Sequence, residues 1–67
     1  MLIKVQCQDR HWHVVHPAQP DPVAFLDGAL AFDFADRLAR EHHNRTGAAS
    51  AVRVEAYDAH VDAVRYG

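Results

Sequence analysis

The sequence has too few cysteines for an internal disulfide, because Cys7 is the only one among its 67 residues. A lone cysteine excludes a disulfide-stapled fold and favours a reducing compartment. Long hydrophobic runs are also missing, since no stretch approaches the ~20 apolar residues that a membrane span requires. The N-terminal residues lack the basic, apolar and small-residue order of a signal peptide. We therefore expect a cytoplasmic chain with no membrane partner.

Neither sign of charge is in excess. Seven Lys and Arg residues stand against nine Asp and Glu residues, giving a formal net charge of −2 at pH 7. Binding that is driven by the nucleic-acid backbone requires a basic patch, and the charges here are not grouped into one. The balance therefore argues against nucleic acid as the main partner.

Motifs that carry catalysis are absent as well. The three glycines do not form a phosphate-binding loop, and no nucleophile elbow or zinc-ribbon spacing is present. Cys7 shares the alternation of Ile3 and Val5, which indicates inert burial and not a reactive thiol. We predict that the chain is not an enzyme and holds no cofactor.

What the sequence does contain is one strongly periodic segment, from Asp27 to Gly47. Asp27 can accept hydrogen bonds from the first helical turn, and Gly47 suits the left-handed position just past a helix. Helical spacing places seven residues on one face, namely Leu30, Ala31, Phe34, Ala35, Leu38, Ala39 and His42. The pattern predicts an amphipathic helix whose alanine strip (Ala31, Ala35 and Ala39) packs on a sheet.

Short alternating segments on both sides of this helix predict strands. Pro17, Pro20 and Pro22 predict an extended connection. The predicted strands are Leu2–Gln8, His11–His16, Ala51–Tyr57 and Val61–Tyr66, with turns at Asp9–Arg10 and Asp58–His60; Val23–Leu26 is either a brief strand or a lead-in to the helix. The predicted fold is a single α+β domain over residues 1–67. Its antiparallel-rich sheet has four or five strands, in the order ββ(β)αββ, with the helix on one face.

The alternation also predicts which side chains form the core. The inward residues are Ile3, Val5, Cys7, Trp12, Val14, Val52, Val54 and Ala56. We expect Trp12 and Phe34 to meet across the helix–sheet interface.

These features resemble a family of short bacterial domains of unknown function, built as hairpin, helix and hairpin. The matching residues are Trp12 in the second strand, Phe25 before the helix, the alanine strip, and then Val52, Val54 and Val61. The chain departs from the family pattern in its first turn, which lacks a glycine, and in its last turn, where Asp58-Ala59 replaces Asp-Gly. The resemblance implies a bacterial α+β domain and implies no catalytic residues.

Histidines are the main candidate metal ligands. His11 and His13 lie two apart on one predicted strand, so their side chains share a face roughly 6.5–7 Å apart. A zinc site would need further ligands, such as His60, Glu55 or His42. Solvated histidines on an open sheet face are the simpler interpretation, so we predict no specific metal site.

The sheet face opposite the helix is the main candidate interaction surface. Tyr57 is the only residue there suited to stacking on bases, and Glu55 opposes the charge that nucleic acid requires. The candidate contact residues are His11, His13, Val15, Arg53, Glu55 and Tyr57 on the sheet and Phe32 on the helix. The sequence thus favours a non-enzymatic interaction or accessory domain over a nucleic-acid-binding regulator or a metal-binding protein.

Self-association is a further expectation, because a domain of this size has a small core and no covalent staple. An open sheet has edge strands, and Leu2–Gln8 and Val61–Tyr66 carry no proline and few charges to block pairing. We predict a homodimer in which one of these strands pairs with its twin. The competing expectation is a monomer whose edges are covered by the proline-rich connection.

Overall fold

One helix lies across one face of a five-stranded sheet in the computed structural model, which describes residues 1–67. The α+β fold that the sequence predicts is confirmed. The elements in chain order are β1 (Leu2–Gln8), β2 (His11–Val15), β3 (Val23–Phe25), α1 (Gly28–Thr46), β4 (Ser50–Ala56) and β5 (Ala59–Tyr66). Helix α1 does not combine the length and the apolar character that crossing a membrane requires.

Strand order in the sheet is β3-β2-β1-β4-β5. The pair β1–β4 is parallel, and the other three pairs are antiparallel. A parallel pair needs a crossover, and here the chain returns from one hairpin to the other through α1. Strand β1 is therefore central, which corrects the expectation that Leu2–Gln8 could be an edge. The two edges are β3 and β5.

Helix α1 begins and ends where the sequence predicts. One Asp27 carboxylate oxygen accepts from the backbone N–H groups of Ala29, at 2.6 Å, and Leu30, at 3.3 Å. Gly47 adopts a φ of 75° and donates its N–H to the carbonyl of His43 at 2.8 Å. Both ends of the helix are thus closed by local hydrogen bonds.

The core is a single thin layer between α1 and the sheet. Its members are Ile3, Val5, Val14, Val52 and the alanine strip, all at most 1% exposed. Alanine brings the helix backbone close to the sheet because it has only a methyl group. At the strip's end, the buried Ser50 hydroxyl donates to the carbonyl of Ala39 and ties β4 to α1.

Several side chains around this layer are less buried than predicted. Trp12 and Phe34 are only partly buried, and the ring that Phe34 meets is that of Phe25, at a centroid distance of 5.3 Å. Leu30, predicted to face the sheet, is 58% exposed. The narrow alanine strip, and not the whole apolar face, forms the centre of the contact.

Several strand boundaries differ from the sequence predictions by one or two residues. The second hairpin turns at Tyr57–Asp58, so β5 begins at Ala59, two residues before the predicted start. Val23–Phe25 pairs with β2 and is a strand.

Candidate interaction surface

The face of the sheet opposite α1 is uncovered, and we call it the open face. Its residues alternate with those of the core along every strand, so that residues paired across neighbouring strands share a side. The open face consists of Leu2, Lys4, Gln6, Gln8, His11, His13, Val15, Ala24, Ala51, Arg53, Glu55, His60, Asp62 and Arg65.

A row of polar side chains crosses the middle of the open face. Pairing of the strands places His13, Gln6, Glu55 and His60 side by side on β2, β1, β4 and β5. The Gln6 side-chain amide donates to a Glu55 carboxylate oxygen at 2.8 Å. The two central side chains of the row are therefore hydrogen-bonded to each other. The two histidines at its ends have no side-chain hydrogen bond.

A second row across the open face ends in an ion pair; its members are Val15, Lys4, Arg53 and Asp62. Arg53 Nε donates to Asp62 Oδ1 at 2.8 Å, across the β4–β5 pair. The hydrogen bond from Arg53 lowers the pKa of Asp62, and the same bond raises the pKa of Arg53. Because Asp62 is 67% exposed, solvent screens this pair, and its main effect is to fix the two side chains in place.

The histidines predicted as metal candidates do not converge. His11 and His13 share the open face of β2, but His60 lies on β5, three strand positions away. Three interstrand spacings amount to roughly 14 Å, too far for one ion. Glu55 is two strand positions from His13, and His42 lies on α1, across the sheet. No group of three or more His, Cys, Asp or Glu side chains is close enough to hold a metal.

Tyr57 and Phe32 are not where the sequence places them. Tyr57 is the first turn residue of the β4–β5 hairpin, with a φ of 52° and 86% exposure, and is not part of the open face. Phe32, predicted to lie outside the core, is partly buried and packs against it. The open face therefore carries no aromatic ring, and it lacks the stacking platform used for single-stranded bases.

A cleft between the two hairpin turns was not predicted from the sequence. Because β1 and β4 are parallel, the turns Asp9–Arg10 and Tyr57–Asp58 lie side by side at one end of the sheet. The cavity has a volume of about 730 Å³ and its lining includes Cys7, Glu55 and His60. Only the parallel pairing brings these turns together, and no local pattern signals that pairing.

Edge strand β5 has the longest run of unpaired backbone groups in the sheet. It has eight residues, contains no proline, and exposes Val61 to 63%. A bulge places both Asp62 and Ala63 opposite Arg53. The other edge, β3, has only three residues and follows Pro22, so it offers little room for pairing.

A second exposed apolar site lies at the start of α1. Leu26, which precedes the helix cap, is 94% exposed, and Leu30, in the first helical turn, is 58% exposed. The sequence placed Leu30 in the core, so this pair was not predicted. We call these two residues the leucine pair.

Comparison with known proteins gives no assignment, since no protein family, curated protein or solved structure matches the chain. The family resemblance noted from the sequence stays a prediction that rests on the residues named for it.

Proposed function

We propose that this chain is a small non-enzymatic interaction domain that self-associates. The observation that carries the proposal is the free edge of β5, with eight residues, no proline and an exposed valine. Backbone N–H and C=O groups along such an edge form a template on which another strand can pair. A homodimer is the simplest partner, because two copies then satisfy the same edge.

The small size of the core supports the same proposal. Only seven apolar residues are fully buried, and three of them are alanines, which bury little area each. A domain of this size gains only a few kcal/mol from its own core. Covering Val61 and the β5 edge would add burial that the monomer lacks. The partly buried, unpaired Cys7 supports a site of action in the cytoplasm, where thiols stay reduced.

Light scattering on a size-exclusion column tests self-association. The chain has a mass of 7.5 kDa, so a dimer has twice that mass. An interface one strand wide is small and can be weak. The protein should therefore be loaded at concentrations from about 1 µM to about 500 µM. We expect the mass to rise towards the dimer value with concentration. A mass of one chain throughout would contradict self-association.

Binding to nucleic acid is the alternative that needs a direct test. The open face has no aromatic ring, and the ion pair with Asp62 occupies its Arg53. We expect no retention on immobilised single-stranded DNA or RNA at about 0.15 M salt. Retention that weakens steeply with added salt would favour the nucleic-acid alternative.

A further inference from the structure

We infer that two copies pair β5 antiparallel with β5 about a two-fold axis, in the register that places Asp62 opposite the partner's Arg65. This inference rests on the proposed self-association and specifies its partner, edge and register. The two sheets would join into one continuous sheet of ten strands, twice the five of a single chain.

The side on which each β5 residue projects is fixed by its pairing with β4. Val61 pairs with Val54 and Tyr66 pairs with Ser50, so both lie on the helix side. Asp62 pairs with Arg53, and Arg65 pairs with Ala51, so both lie on the open face. In any register of a second β5, two residues that lie directly opposite each other must project from the same face of the sheet.

The bulge is what brings the two charges to the same face. In a regular strand, residues three apart project on opposite sides, since the side-chain period is two. The extra residue, Ala63, shifts the phase between Asp62 and Arg65, and both therefore reach the open face. The bulge thus gives this short strand an acidic and a basic side chain on one side.

The two-fold axis then makes these charges complementary. With Val64 opposite the partner's Val64 on the axis, and the bulged Ala63 left without an opposite residue, Asp62 faces the partner's Arg65, and Arg65 faces the partner's Asp62. On the helix side, the exposed Val61 faces the ring of the partner's Tyr66. The axis repeats each pair, so the interface has two ion pairs and two apolar pairs.

The nearest alternative register matches sides but not charges. Shifting the partner by two residues places Val61 opposite the partner's Val64. Arg65 then faces the partner's His60, and Asp62 faces the partner's Asp62, so neither charge has an opposite charge across the axis. Charge complementarity therefore selects the first register.

Charge reversal tests the register with two variants. Each should dimerise poorly by itself, and the two should form a heterodimer when they are mixed. Asp62→Arg and Arg65→Asp each bring like charges together across the axis. We expect each to raise the dimer dissociation constant at least tenfold. A one-to-one mixture restores both opposite-charge pairs, so the mixture should form a heterodimer with a dissociation constant within about threefold of the unsubstituted protein. Because Arg65→Asp leaves the Arg53–Asp62 ion pair intact, it separates lost association from lost folding.

The leucine pair supplies a matched control on another surface. Leu26→Ser/Leu30→Ser should leave the dissociation constant unchanged, since neither residue lies on β5. A dimer that persists unchanged in both charge-reversal variants would overturn this inference while leaving self-association intact. Loss of the dimer only in the leucine variant would overturn it in favour of that surface. An unsubstituted chain that stays monomeric at every concentration would overturn both proposals.

Disulfide trapping checks the register independently of charge. In a Cys7→Ala background, Val61→Cys with Tyr66→Cys leaves Asp62 and Arg65 in place and should yield a covalent dimer under mild oxidation, because cross-strand Cα atoms lie about 4.5–5.5 Å apart. Ala59→Cys with Tyr66→Cys, which matches the alternative register and also keeps both charges, should not cross-link. The reverse result would overturn the proposed register.

Discussion

Gly28 is the residue at which the start of α1 meets Trp12. A Cβ atom at this position would lie 2.7 Å from Cζ2 and 2.8 Å from Cε2 of the indole, closer than carbon atoms approach. The absence of a side chain therefore lets the indole lie against the first helical turn. This contact explains a glycine at the first position of the helix.

Replacing Gly28 with alanine should destabilise the fold by about 1–3 kcal/mol, as other overpacked sites do. In an unobstructed helix the same change is stabilising by about 0.5–1 kcal/mol. Urea unfolding, followed by tryptophan fluorescence or circular dichroism, measures the difference. The sign of the effect thus reports whether the indole occupies this place.

A double-mutant cycle supplies the control. In a Trp12→Leu background the clash is relieved, so Gly28→Ala should cost less there than in the unsubstituted chain. Equal costs in both backgrounds would show that Trp12 does not contact Gly28.

Tyr66 ties the edge strand to the helix, since its hydroxyl donates to the Asp36 carboxylate of α1. This hydrogen bond raises the pKa of Tyr66. Because the folded-state pKa exceeds the unfolded value of about 10, the stabilisation is present below that pH. It is lost as pH rises through the folded-state pKa.

Tyr66→Phe should lower the urea midpoint at neutral pH and remove the most alkaline part of the tyrosinate absorbance titration. Low protein concentration keeps the measurement on the monomer. Tyr57→Phe is the matched control, because Tyr57 is 86% exposed in a turn, and it should leave the midpoint unchanged. Equal midpoints for both variants would refute the Tyr66–Asp36 contact.

The two hairpins turn through residues that are unusual for their backbone. Asp9, Arg10, Tyr57 and Asp58 all have φ between 51° and 66°, although none is glycine. Two-residue turns of this kind match the twist of the strands but favour Asn or Gly. Arg10 and Tyr57 bear the larger cost, since Asp tolerates the left-handed region better.

Glycine at these positions should therefore stabilise the domain. Arg10→Gly and Tyr57→Gly should each add about 0.5–1 kcal/mol, because the left-handed cost of about 1–2 kcal/mol exceeds the extra chain entropy of glycine. Thermal or urea unfolding checks the sign. Arg40→Gly, in the middle of α1, should instead cost about 1 kcal/mol. Destabilisation by Arg10→Gly would mean that its side chain makes contacts that outweigh the strain.

Local pattern was sufficient to locate the elements. Alternation predicted β1, β2, β4 and β5 within two residues, and helix α1 was bounded correctly by Asp27 and Gly47. The alanine strip was predicted to face the sheet and does so. Each of these features depends on a residue's near neighbours in the chain, which periodicity and capping report directly.

Features that depend on distant pairing were missed. The parallel pairing of β1 with β4 moved Leu2–Gln8 from a possible edge to the centre, and it created the cleft between the turns. Tyr57 was misplaced because a turn without glycine gives little local signal. Leu30 was misplaced because apolar periodicity does not show how narrow the contact is when alanines define it.

At the scale of the whole molecule, the sheet has one short edge strand and one long edge strand. Strand β3 is short and follows Pro22, whereas β5 extends over eight residues at the other side. The helix covers one face, and the Tyr66–Asp36 hydrogen bond ties the last residue of β5 to it. Because β5 is the longer of the two edge strands, we propose that the chain self-associates through β5.

Backbone hydrogen exchange of β5 at two protein concentrations tests that assignment most directly. Amides that point away from β4 have no partner in the monomer but become bonded when a second β5 pairs with them. We predict that these amides become more protected between about 50 µM and about 1 mM, while β3 amides do not change. If the β5 amides are equally protected at both concentrations, the proposal that two copies pair through β5 is wrong.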